Sequence, residues 1–99
     1  MDETVKILLV DDEARNLDAL ESILESSGCT LVRALTADQA LLSILQNEFA
    51  AIVLDIKMPG TDGLELARLI KQRKRSQHVP ILFLTAHNLD EKEVLHGKT

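Results

Sequence analysis

Three unbroken apolar runs constrain the fold of this chain more than any other feature of its sequence. They span residues 7–10, 51–54 and 81–84, and none of them alternates with polar positions. A strand that is apolar at every position is typical of a parallel sheet whose two faces are both covered by helices. The runs therefore predict an α/β fold built on a buried parallel sheet.

A polar residue follows each apolar run. Asp11 and Asp12 follow the first run, Asp55 follows the second and Thr85 follows the third. Because parallel strands place their carboxyl ends at one edge of the sheet, we expect these side chains to lie close together. A carboxylate at the tip of a buried strand suits a nucleophile or a metal ligand. The sequence therefore predicts a functional site at this edge.

The segments between the predicted strands have the apolar spacing of amphipathic helices. The first helix is predicted over residues 14–27, with Gly28 as its terminator. After a short strand at Thr30–Ala34, Thr36 and Gln39 form the capping-box pattern of a second helix.

The rest of the chain continues the alternation. A third helix is predicted over residues 64–75 and a last, more polar one from residue 88 or 89 to residue 96, before Gly97. Strands and helices that alternate with such short loops predict a three-layer, doubly wound sheet with right-handed crossovers. The whole chain, residues 1–99, is expected to form one domain.

Composition narrows the class of ligand. Eleven basic and 16 acidic residues give a net charge of −5, so a cation is a better ligand than a polyanion. With two Phe and no Trp or Tyr, the chain has no aromatic platform for stacking bases, and we expect no direct contact with nucleic acid. No run approaches the roughly 20 apolar residues of a membrane span, and the N-terminus lacks the basic start of a signal peptide. A single Cys29 fits the reducing cytoplasm, which is the expected location.

The motifs at the strand ends, taken together, resemble the receiver domain of two-component response regulators. The resemblance covers residues 4–97 and rests on the pair Asp11-Asp12, on Asp55 with the following Met58-Pro59-Gly60 and Asp62-Gly63, and on Thr85-Ala86. It implies the flavodoxin-like strand order 2-1-3-4-5. Receivers continue into a fifth strand, a lysine and a fifth helix, so the expectation for this chain, which stops at Thr99, is a C-terminally incomplete receiver of order 2-1-3-4.

The resemblance also implies the chemistry of the site. Asp55 would accept a phosphoryl group from a phosphohistidine on a histidine kinase or a histidine phosphotransfer protein, with Mg²⁺ as cofactor. The metal would be held by Asp12, by Asp55 and by the backbone carbonyl of Lys57, and by Asp11 through water. Such a domain is not an enzyme, although it assists its own phosphorylation and dephosphorylation.

Two further roles follow from the resemblance. Thr85 would contact the transferred phosphoryl group, and Lys57 and His87 occupy positions that tune the phosphoryl lifetime. Other interpretations of nearby residues remain open: Asp11 could cap the first helix, and Glu13 could be a solvated acid or touch the metal. The basic residues between 68 and 75 are expected to complement the C-terminal dipole of the third helix.

Two alternative functions fit the sequence less well than that of a phosphoacceptor. A pseudo-receiver that binds partners without phosphorylation is disfavoured by the complete acidic trio. A phosphatase of the haloacid dehalogenase type needs a second Asp two residues after its nucleophile, and residue 57 is Lys. The sequence names neither the output domain, the kinase nor the stimulus.

The strand at residues 81–84 carries a prediction about assembly. Without the family's fifth strand it becomes an edge with unpaired backbone groups, and such edges pair with other chains. We therefore expect self-association through this edge, most simply as a twofold dimer formed either by edge pairing or by exchange of the terminal helix.

Overall fold

A computed structural model describes residues 5–58 and 61–84 of the chain, with Thr61 described by its backbone alone. The elements, in chain order, are β1 (Lys6–Val10), α1 (Ala14–Leu24), a 3₁₀ turn (Glu25–Ser27), β2 (Thr30–Ala34), α2 (Ala37–Gln46), β3 (Ala51–Asp55), β4 (Lys57–Met58), β5 (Thr61–Asp62), α3 (Gly63–Lys71) and β6 (Ile81–Leu84).

The main sheet contains four parallel strands in the order β2-β1-β3-β6. In its register Val10 lies opposite Leu54, and Asp55 lies opposite Leu84. This arrangement confirms the predicted flavodoxin-like order, in which β6 is the fourth of the strands expected from the sequence. The carboxyl ends of β1 and β3 are consequently neighbours.

Helices cover both faces of this sheet, as the continuous apolar runs predict. Leu9 and Val53 pack with Leu17 of α1 on one face. The alternate strand residues point to the other face, where they pack with residues of α2 and α3: Leu8, Val10, Ile52 and Leu54 with Ala40, Ile44, Leu66 and Ile70. The side chains of the central strands β1 and β3 are therefore shared between two cores, which confirms the three-layer architecture.

The predicted helix boundaries are correct at the start of α2 and partly wrong in α1. Thr36 caps α2 by accepting a hydrogen bond from the Gln39 amide, and the Gln39 side chain accepts one from the Leu35 amide. The predicted first helix keeps its α-helical form only to Leu24 and tightens into the 3₁₀ turn before Gly28. Gly28 has φ 85°, the left-handed conformation in which glycine ends helices without strain.

The third helix is shorter than predicted. It ends at Lys71, and turns follow from residue 72 to residue 79. Side-chain hydrogen bonds fix this end: Lys71 Nζ donates to the carbonyls of Gln77 and Val79, and buried Ser76 Oγ donates to the carbonyl of Ile70 at 2.6 Å. The basic residues 73–75 therefore lie beyond the helix, and only Arg68 and Lys71 occupy its last turn.

Two smaller features complete the described structure. β4 and β5 form an antiparallel ribbon after Asp55, with Lys57 opposite Asp62, which the sequence did not predict. None of the helices in the described part of the chain has the length and apolarity needed to span a membrane. Thr85, His87 and the predicted last helix lie outside the described residues.

Candidate functional site

Three carboxylates meet at the carboxyl edge of the sheet. Asp11 and Asp12 follow β1, and Asp55 is the last residue of the neighbouring strand β3. One carboxylate oxygen from each lies within 4.8 Å of the others. Asp11 and Asp55 are each only 1% exposed, whereas Asp12 is open to solvent. The structure thus brings together the three acids that the sequence predicted to be neighbours.

The carboxylate of Asp11 is held through both of its oxygens. Oδ1 accepts a hydrogen bond from the backbone N–H of Glu13 at 3.0 Å, and Oδ2 accepts one from Nδ2 of Asn16 at 3.1 Å. The N-cap residue of α1, Glu13, makes no side-chain capping bond of its own. Asp11 therefore supports the start of α1 and also belongs to the acidic cluster, so its contact with the helix start is compatible with the predicted metal role.

The phosphoacceptor candidate Asp55 is positioned by the segment that follows it. Its Oδ1 accepts a hydrogen bond from the backbone N–H of Lys57 at 3.3 Å. The start of α3 packs directly behind it, with the N–H of Gly63 donating to the carbonyl of Ile56 at 2.7 Å. A Cβ atom at residue 63 would lie 2.3 Å from the carbonyl oxygen of Asp55. Only glycine permits this close approach, which gives the Asp62-Gly63 motif a steric reason.

The charges of the cluster favour a cation. Two unit charges about 5 Å apart repel by roughly 3 kcal/mol at an effective dielectric constant near 20. Carboxylate oxygens are the hard ligands that Mg²⁺ prefers, and Mg²⁺ usually keeps several positions for water and phosphate oxygens. A donor set of two buried acids and one solvent-exposed acid, Asp12, fits this preference. The residues present are thus suited to Mg²⁺.

Of the other predicted site residues, Lys57 and Glu13 lie within the described structure. Lys57 is exposed in β4, directly after the acidic edge, and Glu13 is exposed at the start of α1. Glu13 contacts the cluster through its backbone amide and not through its carboxylate. Sequence reasoning missed Asn16, whose amide contacts Asp11. The sequence shows a polar residue on the first turn of the helix that follows the acid pair, but this pattern does not say where its side chain points.

The chain is similar in sequence to response regulators along nearly its whole length. The sequence profile of the response regulator receiver domain matches residues 7–97. Transcriptional regulatory protein ResD of Bacillus subtilis is 40% identical over 96 residues, an alignment that covers 95% of this chain and 39% of ResD. The phosphate regulon transcriptional regulatory protein PhoB of Pseudomonas aeruginosa is 35% identical over 88 residues, covering 89% of this chain and 38% of PhoB. The chain spans about two fifths of the length of these relatives.

Solved structures of response regulator and receiver proteins share the fold of this chain. A putative response regulator from Chloroflexus aurantiacus superposes with a TM-score of 0.81 at 29% identity, covering 97% of this chain and 79% of that one. The receiver domain of a sensor histidine kinase from Pseudomonas aeruginosa superposes with a TM-score of 0.78 at 31% identity, covering 92% of this chain and 75% of that one. The second structure is described with a magnesium ion coordinated in its active-site cleft.

Proposed function

Because this chain belongs to the response regulator receiver domain family, we propose that Asp55 accepts a phosphoryl group from a phosphohistidine. The donor is a histidine kinase or a histidine phosphotransfer protein. The observation that carries the proposal is the convergence of Asp11, Asp12 and Asp55 at one sheet edge. This role is the standard function of the receiver family.

The residues of the edge divide the work of phosphoryl transfer. An oxygen of the Asp55 carboxylate attacks phosphorus in line, forming an O–P bond as the P–N bond to the donor imidazole breaks. The backbone N–H of Lys57, bonded to Asp55 Oδ1, limits rotation of that carboxylate. Bound Mg²⁺ would offset charge on the transferring phosphoryl oxygens. Asp12, Asp55 and the backbone carbonyl of Lys57 would hold the ion, and Asp11 would act through water.

Three side-chain roles belong to the same proposal. Thr85 contacts the transferred phosphoryl group, and Lys57 and His87 tune how long it persists. The exposure of the Lys57 side chain next to Asp55 supports its part in this assignment. Replacing Lys57 would then alter the lifetime of the acyl phosphate more than its formation.

The proposed setting is two-component signalling in the cytoplasm. Relatives of this chain include the sensor histidine kinase GacS and the hybrid signal transduction histidine kinase L, besides the transcriptional regulators. The domain itself is a signalling domain that assists its own phosphorylation and dephosphorylation. The free, half-buried Cys29 is compatible with a reducing compartment. A pseudo-receiver function is not favoured, because all three acids are present.

Self-association is part of the proposal as well. Among the described residues, β6 pairs with β3 alone, and Leu82 and Phe83 are 56% and 42% exposed. We propose that a second copy of the chain covers this strand edge. A strand edge without a partner on its outer side, flanked by exposed apolar side chains, is a surface that pairs with other chains.

Binding of Mg²⁺ provides the first test of the site. A ligand present at 100 times its dissociation constant raises the free energy of unfolding by about 2.7 kcal/mol. We expect Mg²⁺ to stabilise the wild type in this way but not the double variant Asp12→Asn, Asp55→Asn. Thermal unfolding monitored by circular dichroism measures the difference.

A matched control separates the site from general charge effects. The double variant Glu25→Gln, Glu48→Gln removes two exposed negative charges near the amino ends of β2 and β3, at the opposite edge of the sheet, and should keep the full stabilisation by Mg²⁺. Equal stabilisation of both double variants would show that the ion does not act at Asp12 and Asp55, and the proposal would fail.

A further inference from the structure

We infer that Asn16 is a positioning residue of the acidic site, whose side-chain amide holds Asp11 in the orientation that serves the metal. The inference rests on the proposed function and adds to it a residue outside the acidic trio. Its basis is the hydrogen bond from Asn16 Nδ2 to Asp11 Oδ2, 3.1 Å long.

The chemistry of the two groups fixes the direction of this bond. An ionised carboxylate can only accept hydrogen bonds, so the NH₂ group of Asn16 must face Asp11. The second oxygen of Asp11 is engaged by the backbone N–H of Glu13. Each carboxylate oxygen offers about two acceptor positions, so both oxygens keep one for water at the site. The two hydrogen bonds therefore orient the Asp11 carboxylate and still leave acceptor positions for water next to the metal.

Asn16 lies on a helix whose first turn is fixed against the sheet. Asn16 is the third residue of α1, and the next residue, Leu17, is fully buried against Leu9 and Val53. From β2, Arg33 donates from Nη2 to the carbonyl of Ala14 at 3.2 Å, at the first position of the same helix. A donor on such a fixed turn restricts its acceptor more tightly than a donor on a free loop.

Two further contacts strengthen this anchor. The guanidinium of Arg33 lies 3.0 Å from a carboxylate oxygen of Asp18 and 3.6 Å from one of Glu21, both on α1. Arg33 thus contacts α1 at three positions between its first residue and Glu21. The first turn of α1, and Asn16 with it, is held to the sheet from two sides.

The neutrality of Asn16 suits this role. A lysine in its place would orient Asp11 equally well, but its charge would offset the negative potential that attracts a cation. An amide satisfies the buried oxygen and leaves the charge of the cluster intact. Hydrogen-bond partners of metal ligands commonly contribute 10- to 100-fold to metal affinity, and because Asp11 acts through water, the contribution of Asn16 should lie at the lower end of that range. Loss of the Asn16 donor should therefore weaken Mg²⁺ binding without removing any of the three acids.

Isothermal titration calorimetry measures this effect directly, which matters because the chain has no Trp or Tyr to report binding by fluorescence. Asn16→Leu, similar in size but without a donor, is expected to raise the Mg²⁺ dissociation constant by about tenfold. Asn16→Gln retains the amide and should recover most of the affinity.

Asn47 offers a matched control. Its side chain is also half-buried and makes two hydrogen bonds, from Nδ2 to the carbonyl of Ser43 and to Oδ1 from Nζ of Lys6. Lys6 begins β1 whereas Asp11 follows its end, so the two sites are separated by the length of the strand, about 15 Å at the usual rise per residue. Asn47→Ala should lower stability and leave Mg²⁺ affinity unchanged.

The wild-type protein supplies an independent readout if Asn16→Leu fails to fold. In ¹H–¹⁵N spectra, addition of Mg²⁺ should shift the side-chain NH₂ resonances of Asn16 and leave those of Asn47 in place. Unchanged Asn16 resonances, or an Asn16→Leu variant that binds Mg²⁺ as the wild type does, would overturn the inference. If Asp12→Asn, Asp55→Asn abolishes binding in the same series, the failure concerns Asn16 alone. If that double variant also binds normally, the proposed function fails and the inference fails with it.

Discussion

Neutral donors from neighbouring residues hydrogen-bond to the two buried carboxylates of the site. Asp11 accepts from the Glu13 backbone and the Asn16 amide, and Asp55 accepts from the Lys57 backbone. Each of these bonds is local, made by a residue two to five positions further along the chain. Neutral donors reduce the cost of burying a carboxylate while leaving its charge available to a cation. The segments that directly follow β1 and β3 therefore help to orient the carboxylates of the site.

Gly63 provides a prediction at the residue scale. Gly63→Ala would place a methyl group against the backbone of Asp55 and Ile56, and overpacking of this kind costs about 1–3 kcal/mol. Because the backbone of Asp55 must move to relieve the contact, we also expect weaker Mg²⁺ binding. Chemical denaturation and calorimetry measure the two effects.

Gly28→Ala is the control for this variant. Gly28 has a positive φ of 85° but open space around its Cβ position, so alanine there costs about 1–2 kcal/mol of backbone strain. It lies away from the acidic edge and should leave Mg²⁺ affinity unchanged. Equal Mg²⁺ affinity in both variants would contradict the role given to Gly63.

The acidic trio was predictable from the sequence, and Asn16 was not. Asp11, Asp12 and Asp55 each follow an apolar run, and the geometry of parallel strands brings such positions together. The contact of Asn16 with Asp11 depends instead on the direction in which α1 leaves the strand. That direction is set by packing of Leu17 and by Arg33, which a local pattern does not contain.

At the scale of elements, α2 has the most complete capping of the three α-helices in the described part of the chain. Thr36 accepts from the Gln39 amide while the Gln39 side chain accepts from the Leu35 amide, so two backbone donors are satisfied at its start. Thr36→Ala should lower the free energy of unfolding by about 1 kcal/mol, and Thr36→Ser should preserve it. Urea denaturation distinguishes them. A Thr36→Ala variant as stable as the serine variant would show that the cap contributes nothing.

The bounds of the elements were predicted unevenly. Strand ends were accurate because Asp55 and the polar residues after β1 interrupt otherwise continuous apolar runs. The end of α3 was placed too late because Gln72, Arg73 and Lys74 are good helix formers. Side-chain hydrogen bonds from Lys71 and Ser76 to carbonyl groups six residues away end the helix instead, and helix propensity does not encode them.

At the scale of the whole molecule, the sheet is covered asymmetrically among the described residues. α1 packs on one face and α2 and α3 on the other, while β6 pairs with β3 alone. The outer strand, β6, is therefore the surface through which we propose that the chain self-associates. Substitution of its exposed apolar residues tests this proposal.

Size-exclusion chromatography with light scattering at low micromolar concentration tests this proposal. We expect a dimer for the wild type and a shift toward monomer for Leu82→Lys, because a charge on the strand disfavours edge pairing. Leu42→Lys is the control, since Leu42 of α2 is 55% exposed and Leu82 is 56% exposed. A wild-type protein that stays monomeric, or equal dissociation in both variants, would contradict it.

The central claim, that Asp55 is the phosphoacceptor, is tested most directly by mass spectrometry. The chain is incubated with acetyl phosphate and Mg²⁺ and then mapped by proteolysis, alongside the Asp55→Asn variant. The account predicts one added phosphoryl group on the peptide that contains Asp55, dependent on Mg²⁺ and removed by hydroxylamine, as expected for an acyl phosphate. The Asp55→Asn variant should carry none. A phosphoryl group on Asp62 or on a serine, or one that persists in Asp55→Asn, would contradict the account.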